Sequence, residues 1–171
     1  PPRATLDITN NLKSVAGNPD GSCALIVGDG GVVVKYGKDL FGHWTMEKIS
    51  NVITTNNLID VAWEPNLGSY ALIVGAGNTI LKYDTLTSSL WPLSSGVTYN
   101  NDWEVVSWKP GLLGYALIAS GGHLIKYDGL FFTSINNYVW MTESISWKPD
   151  GSYALIGGWS EPIRKYDGFS F

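Results

Sequence analysis

One phrase recurs along the chain: "WEPNLGSYALI" from Trp63, "WKPGLLGYALI" from Trp108 and "WKPDGSYALI" from Trp147, with a relic of it around Pro19. Prolines 19, 65, 110 and 149 and the Lys-Tyr pairs at 35–36, 82–83, 126–127 and 165–166 space the copies by about 39 to 47 residues. Four copies at that period account for all 171 residues. Whatever fold the chain adopts must therefore be assembled from four similar units.

Each unit reads as four short strands, a to d, separated by turn signals. In the second unit "LIDVAWEP" is strand a, ended by Pro65. "YALIV" is strand b, an unbroken apolar run suited to a strand covered on both faces. "GAGN" supplies a hairpin turn, "TILKYD" is strand c, and "LWPLSSG" is a ragged strand d. The 8 Trp, 9 Tyr and 20 Gly favour strands and tight turns, and no apolar stripe of helical period persists between the glycines. A lone four-stranded sheet with two apolar faces must stack on copies of itself, and stacking around an axis gives a β-propeller. The expected fold is therefore all-β, a single domain over 1–171 with blades at about 11–55, 56–100, 101–140 and 141–171. The fourth unit stops after strand c, and "ATLDITN" (4–10) resembles the first unit's strand d, so residues 1–10 are expected to complete the last blade and remove its free edge.

The stretch "VAWEPNLGSYALIVGAGNTILKYD" (61–84) resembles the core of a WD repeat. That family has a Trp-x-Pro-Asp-Gly turn, an apolar strand, a Gly-rich hairpin and a strand ending in Trp-Asp. Tyr83-Asp84, Tyr127-Asp128 and Tyr166-Asp167 stand at the Trp-Asp position, and the likeness extends over all four units. No Gly-His dipeptide precedes strand a, so the family's His-Asp arrangement is missing and the chain is WD-like. Propellers typically hold about four to eight blades, and the resemblance to the WD-repeat family implies the upper part of that range, about six to eight. The resemblance thus implies a homodimer closing an eight-bladed ring, each chain lending its first strand to the other, with a four-bladed monomer or a fragment of a longer array as the alternatives.

Few residues carry chemistry. "VGDGGVVVK" (27–35) and "VGAGNT" (74–79) lack the Gly-Lys-Ser/Thr and following helix of a phosphate loop. Asp84, Asp128 and Asp167, like Asp20 and Asp150, read as turn caps. His43, His123 and Cys23 form no metal set, and Cys23 stands where other units have Tyr70, Tyr115 and Tyr153, a core position. Lys35, Lys82, Lys126 and Lys165 are expected to cover apolar surface with their stems and to meet a carboxylate or carbonyl. Neither a catalytic constellation nor a cofactor is indicated. A net charge of −4 without Lys/Arg clusters gives no footprint for nucleic acid or acidic membrane. The chain shown carries no signal-peptide pattern and no membrane-length apolar run.

Tryptophan is the most informative residue. Trp63, Trp108 and Trp147 are repeat-equivalent packing residues, with Gly17 in the first unit. Trp44, Trp91, Trp103, Trp140 and Trp159 fall outside that position and are the candidate ligand-binding residues, Trp159 above all because "GWSEP" replaces a small Gly-rich turn. The expected function is a non-catalytic scaffold binding a protein or peptide. The alternative is a lectin-like propeller stacking glycans on these tryptophans.

Overall fold

The computed structural model describes residues 6–49, 53–97, 102–135, 141–159 and 162–171. Its regular structure is strand apart from a 3-10 turn at Asp29–Gly31. The first sheet is β1 (Leu12–Gly17), β2 (Cys23–Gly28), β3 (Val33–Lys38) and β4 (Trp44–Lys48). The second is β5 (Leu58–Trp63), β6 (Tyr70–Gly75), β7 (Thr79–Asp84) and β8 (Ser89–Pro92). The third is β9 (Trp103–Trp108), β10 (Ala116–Ser120), β11 (His123–Tyr127) and β12 (Phe132–Ile135). The fourth has β13 (Thr142–Trp147), β14 (Ala154–Gly158) and β15 (Arg164–Tyr166). Every pairing is between chain neighbours and antiparallel. Strands β1, β5, β9 and β13 take position a of their units.

The sheets pack face to face in chain order, β1 on β5, β5 on β9 and β9 on β13. Each joint has its own core. Cys23, Leu25 and Val27 meet Val61, Trp63 and Ile73 at the first joint. Leu72 and Val74 meet Trp108, Ala116 and Ile118 at the second, and Tyr115 and Leu117 meet Ile145 and Ile156 at the third. Strand β6 shows why its sequence is an unbroken apolar run: Ala71 and Ile73 point into one joint, Leu72 and Val74 into the next. Alternation would have left one joint polar.

The repeated tryptophans hold the joints together. Trp63 donates its indole N–H to the Ala16 carbonyl (2.9 Å) and Trp108 to that of Ala62 (3.2 Å), each reaching back to the a strand before it. Trp108 and Trp147 also stand edge-on to Tyr70 and Tyr115, with centroids 5.5 Å apart in both pairs.

Every sheet carries a β-bulge between its first two strands, at Leu12/Ser14, Leu58/Asp60, Ala119/Ser120 opposite Trp103, and Thr142/Ser144. The bulge brings Trp103 into register with Leu58, and it is 1% exposed, packed among Val106 and Ile118. The expected closing strand has no counterpart among the described residues: Leu6–Asn10 form no strand, residues 1–5 lie outside them, and β15 pairs only with β14.

Candidate functional site

Within each sheet the a–b and c–d turns lie at the same end, because neighbouring strands are antiparallel. Hydrogen bonds between turns align that end across sheets. Asn18 donates to the Gly68 carbonyl (2.9 Å) and Asn66 to that of Gly111 (3.2 Å), linking consecutive a–b turns. These turns form one continuous rim. The opposite rim holds the b–c turns, where Gly30 N–H donates to Asn57 and Gly77 N–H to Asp102, both at 3.0 Å.

An aspartate pins the turn after strand c in all four units. Asp39 accepts from the Phe41 and His43 amides, Asp84 from Thr87, Asp128 from Leu130 and Phe131, and Asp167 from Phe169 and Ser170, at 2.8 to 2.9 Å. The amides of His43, Thr87, Phe131 and Ser170 are foremost in holding these four carboxyls below their ordinary range. Capping is their role, as the sequence positions of Asp84, Asp128 and Asp167 imply; Asp39, three places after Tyr36, is a fourth cap that the Tyr-Asp pattern does not reveal. It also forces the next side chains outward: Leu40, Phe41, Leu86, Leu130, Phe131 and Phe169 are all exposed. Leu67, Leu112 and Leu113 add to the same rim from a–b turns. Apolar tips at one end of a stack are what a docking face requires.

The lysines differ from expectation. Lys82, Lys126 and Lys165 place Nζ over the rings of Tyr70, Tyr115 and Tyr153, at 4.2, 4.3 and 4.8 Å from their centroids. Ring faces receive these ammoniums because the b-strand tyrosine shares a sheet face with the c-strand lysine, while the charges of Lys82 and Lys126 also help to lower Asp84 and Asp128. In the first unit Cys23 takes the tyrosine's place. Beside it opens a pocket of about 420 Å³ lined by Asp20, Gly21, Ser22, Cys23, Lys35, Lys38 and Thr85.

The candidate tryptophans do not converge. Trp44 is half-exposed on β4 and stacks on Tyr36 (5.0 Å between centroids, planes 18° apart). Trp91 is exposed on β8, and Trp159 is exposed in the b–c turn of the fourth unit, on the opposite rim from the apolar tips. Burial gives Trp103 a packing role and leaves it no face for a ligand. Trp140 lies outside the described residues. Reading aromatics alone missed the rim, although "DLFG", "DTLT", "DGLFF" and "DGFSF" spell out an apolar residue one to three places after each capping Asp.

Glu104, in the β9 bulge, has its carboxyl pushed up by burial, then by the charges of Glu143 and Asp102. A raised folded-state value means that the fold holds the proton more tightly than the unfolded chain does. Ionisation therefore costs stability, and the cost sets in as pH rises through 4.5, the group's ordinary value. Glu104→Gln is expected to raise the urea midpoint at pH 7 and leave it unchanged at pH 3.5, as paired denaturation curves would reveal.

Among the described residues no group of three or more His, Cys, Asp or Glu could hold a metal ion, and no helix is long and apolar enough to cross a membrane. No protein-family model matches the chain, and no curated protein matches it in sequence.

Proposed function

We propose that this chain is a non-catalytic, WD-like β-propeller scaffold that binds a protein or peptide on the rim of a–b and c–d turns. The observation that carries the reading is the recurrence of exposed apolar tips on that rim, each held out by an aspartate-capped turn. A rigid stack presenting apolar tips loses little conformational entropy on binding. The test is selection of peptides from a random library on the wild-type protein. Serine at Phe41, Leu86, Leu130 and Phe169 together is expected to weaken the selected peptides at least about tenfold, since exposed side chains add little to stability. The melting temperature should stay within about 2 °C. Equal binding by the fourfold variant would contradict the reading.

The stack's two ends support closure of a ring on a second copy. The outer face of the first sheet presents Val15, Ile26, Tyr36 and Met46; Val15 is 66% exposed, whereas its equivalent Val61 is 4% exposed inside the first joint. The outer face of the fourth sheet presents Tyr153, Leu155 and Ile163, and Ile163 is 73% exposed against 2% for its equivalent Ile80. One end offers the residues that begin a joint and the other those that complete it. Two copies joined twice give an eight-bladed ring with two-fold symmetry. The segment at residues 1–10 would then pair with the partner's fourth sheet.

Exposed Trp44, Trp91 and Trp159 favour a lectin as the second reading. Glycan-array binding that free sugar blocks and Trp91→Ala abolishes would establish it.

A further inference from the structure

The pocket beside Cys23 is a vacancy in the repeat. In the second and third units the b-strand tyrosine lies beneath a lysine, and its hydroxyl points at a glycine of the next unit's c–d turn. A Cβ built on Gly129 would stand 3.6 Å from the Tyr70 hydroxyl, and one on Gly168 would stand 3.1 Å from that of Tyr115. The first joint has Lys35 in the lysine's place, Cys23 in the tyrosine's and Thr85 in the glycine's, and these three line the pocket together. The floor is a thiol, held near the Asn18 amide (4.0 Å) and the Ser22 hydroxyl (3.8 Å). At about 420 Å³ the space falls within the usual range for small-ligand sites, roughly 300–1,000 Å³.

We propose that this pocket receives one aromatic side chain, tyrosine in the first instance, from a bound peptide, whose ring takes the position that Tyr70 and Tyr115 fill in their own units. The proposal rests on the peptide-binding reading of the rim, because Asp20–Ser22 and Thr85 belong to that rim's turns. Lys35 supplies the cation above the ring face, as Lys82 and Lys126 do for their tyrosines. The Thr85 hydroxyl, which donates to the Ser69 carbonyl (2.6 Å), and the Ser22 hydroxyl, which donates to the Cys23 sulfur, keep lone pairs that can accept from a phenol at the mouth. An anion is the poorer fit although Lys38 joins Lys35 there. Asp20 lines the same pocket, and Asp39 and Glu47 line the hollow of about 190 Å³ that shares both lysines, so three carboxylates stand around the two ammoniums. Leu40, Leu86 and Phe41 lie in the adjoining c–d turns, where the flanking residues of a peptide would rest.

The test uses a neutral probe, N-acetyl-tyrosinamide, titrated into the isotopically labelled protein and followed by amide chemical shifts. N-acetyl-alaninamide and inorganic phosphate serve as controls. The expected result is saturable binding in the millimolar range, with shifts centred on Asp20–Cys23, Lys35 and Thr85 and none from the alanine compound. Cys23→Tyr, which refills the vacancy, should abolish it. Should the threonine crowd the new ring, Cys23→Tyr with Thr85→Gly recreates the second unit's arrangement and should abolish it equally. Lys35→Met keeps the stem, removes the charge and should weaken the probe about three- to tenfold, the size of one cation–π contact. Binding unaffected by filling the pocket, saturation by phosphate but not by the tyrosine probe, or no binding of any probe would each overturn the proposal. Because the probe is a single residue, those outcomes leave the rim's peptide selection to be judged on its own.

Discussion

Trp108→Ala is expected to destabilise the protein by about 3–5 kcal/mol, the usual cost of truncating a buried tryptophan to alanine. Three losses combine. The indole fills the middle joint among Val106, Ala116 and Ile118. Its ring stands edge-on to Tyr70 on one side and Tyr127 on the other, at 5.5 and 6.4 Å. Its N–H leaves the Ala62 carbonyl without that donor. Domains of this size have about 5–15 kcal/mol of stability in all, so the loss is about a fifth of the total or more. The joint divides the stack into two pairs of sheets, and nearest-neighbour coupling predicts that the variant also unfolds less cooperatively. Urea denaturation followed by tryptophan fluorescence and by circular dichroism would register both effects. The two probes should coincide for the wild type and separate for the variant. Trp91→Ala, on an exposed edge strand, is the control and should change stability by no more than about 0.5 kcal/mol. Equal costs at the two positions would refute the stacked-sheet account.

Asp60→Ala should cost about 2–3 kcal/mol, more than its partly exposed position suggests. Its carboxylate gathers donors from three sheets: the Ser14 hydroxyl (2.7 Å) from the first, its own neighbour Val61 N–H (2.9 Å) from the second and the Val106 N–H (2.9 Å) from the third. Hydrogen bonds to a charged group contribute about 1.5–3 kcal/mol, and an amide stranded between packed strands costs as much again in lost solvation unless water reaches it. Asp60→Asn tests the charge rather than the shape. One of its oxygens becomes a donor facing a donor, so the variant should approach the alanine in cost. Ser14→Ala alone should cost about 1.5 kcal/mol, the lower end for a bond to a charged group. In a double-mutant cycle Ser14→Ala and Asp60→Ala should be non-additive, since both remove the same bond. Additive costs would mean that the carboxylate does not couple the first sheet to the second.

The four repeated antiparallel sheets were legible because the strand pattern is written four times. Strand b reads as apolar on both faces in "YALIV", and its side chains do enter two different cores. The tryptophan before each proline reads as packing, and Trp63 and Trp108 pack and donate across joints. The capping aspartates are legible for a local reason: an Asx turn is closed by residues two or three places on. What escaped the sequence depends on register or on neighbours far along the chain. Trp103 looked free because the bulge that brings it beside Ser120 is invisible in composition or period. The lysines' partners lie across a strand pair, and a ring face is a less obvious acceptor than a carboxylate. Cys23 read as a small core residue, which it is at 7% exposure. The vacancy beside it emerged only when Thr85, far along the chain, was placed opposite it. The apolar tips were in plain sight, but an exposed leucine means little until turns from several sheets share one rim.

The proposal that the four stacked sheets are one half of a ring whose end faces close on a second copy is open to direct test. Light scattering on the purified chain tests it most directly. A mass near twice the 18.6 kDa of the chain, falling to the single-chain value when Val15 or Ile163 is replaced by glutamate, is the predicted result. A wild-type mass of 18.6 kDa that persists across concentration would contradict it.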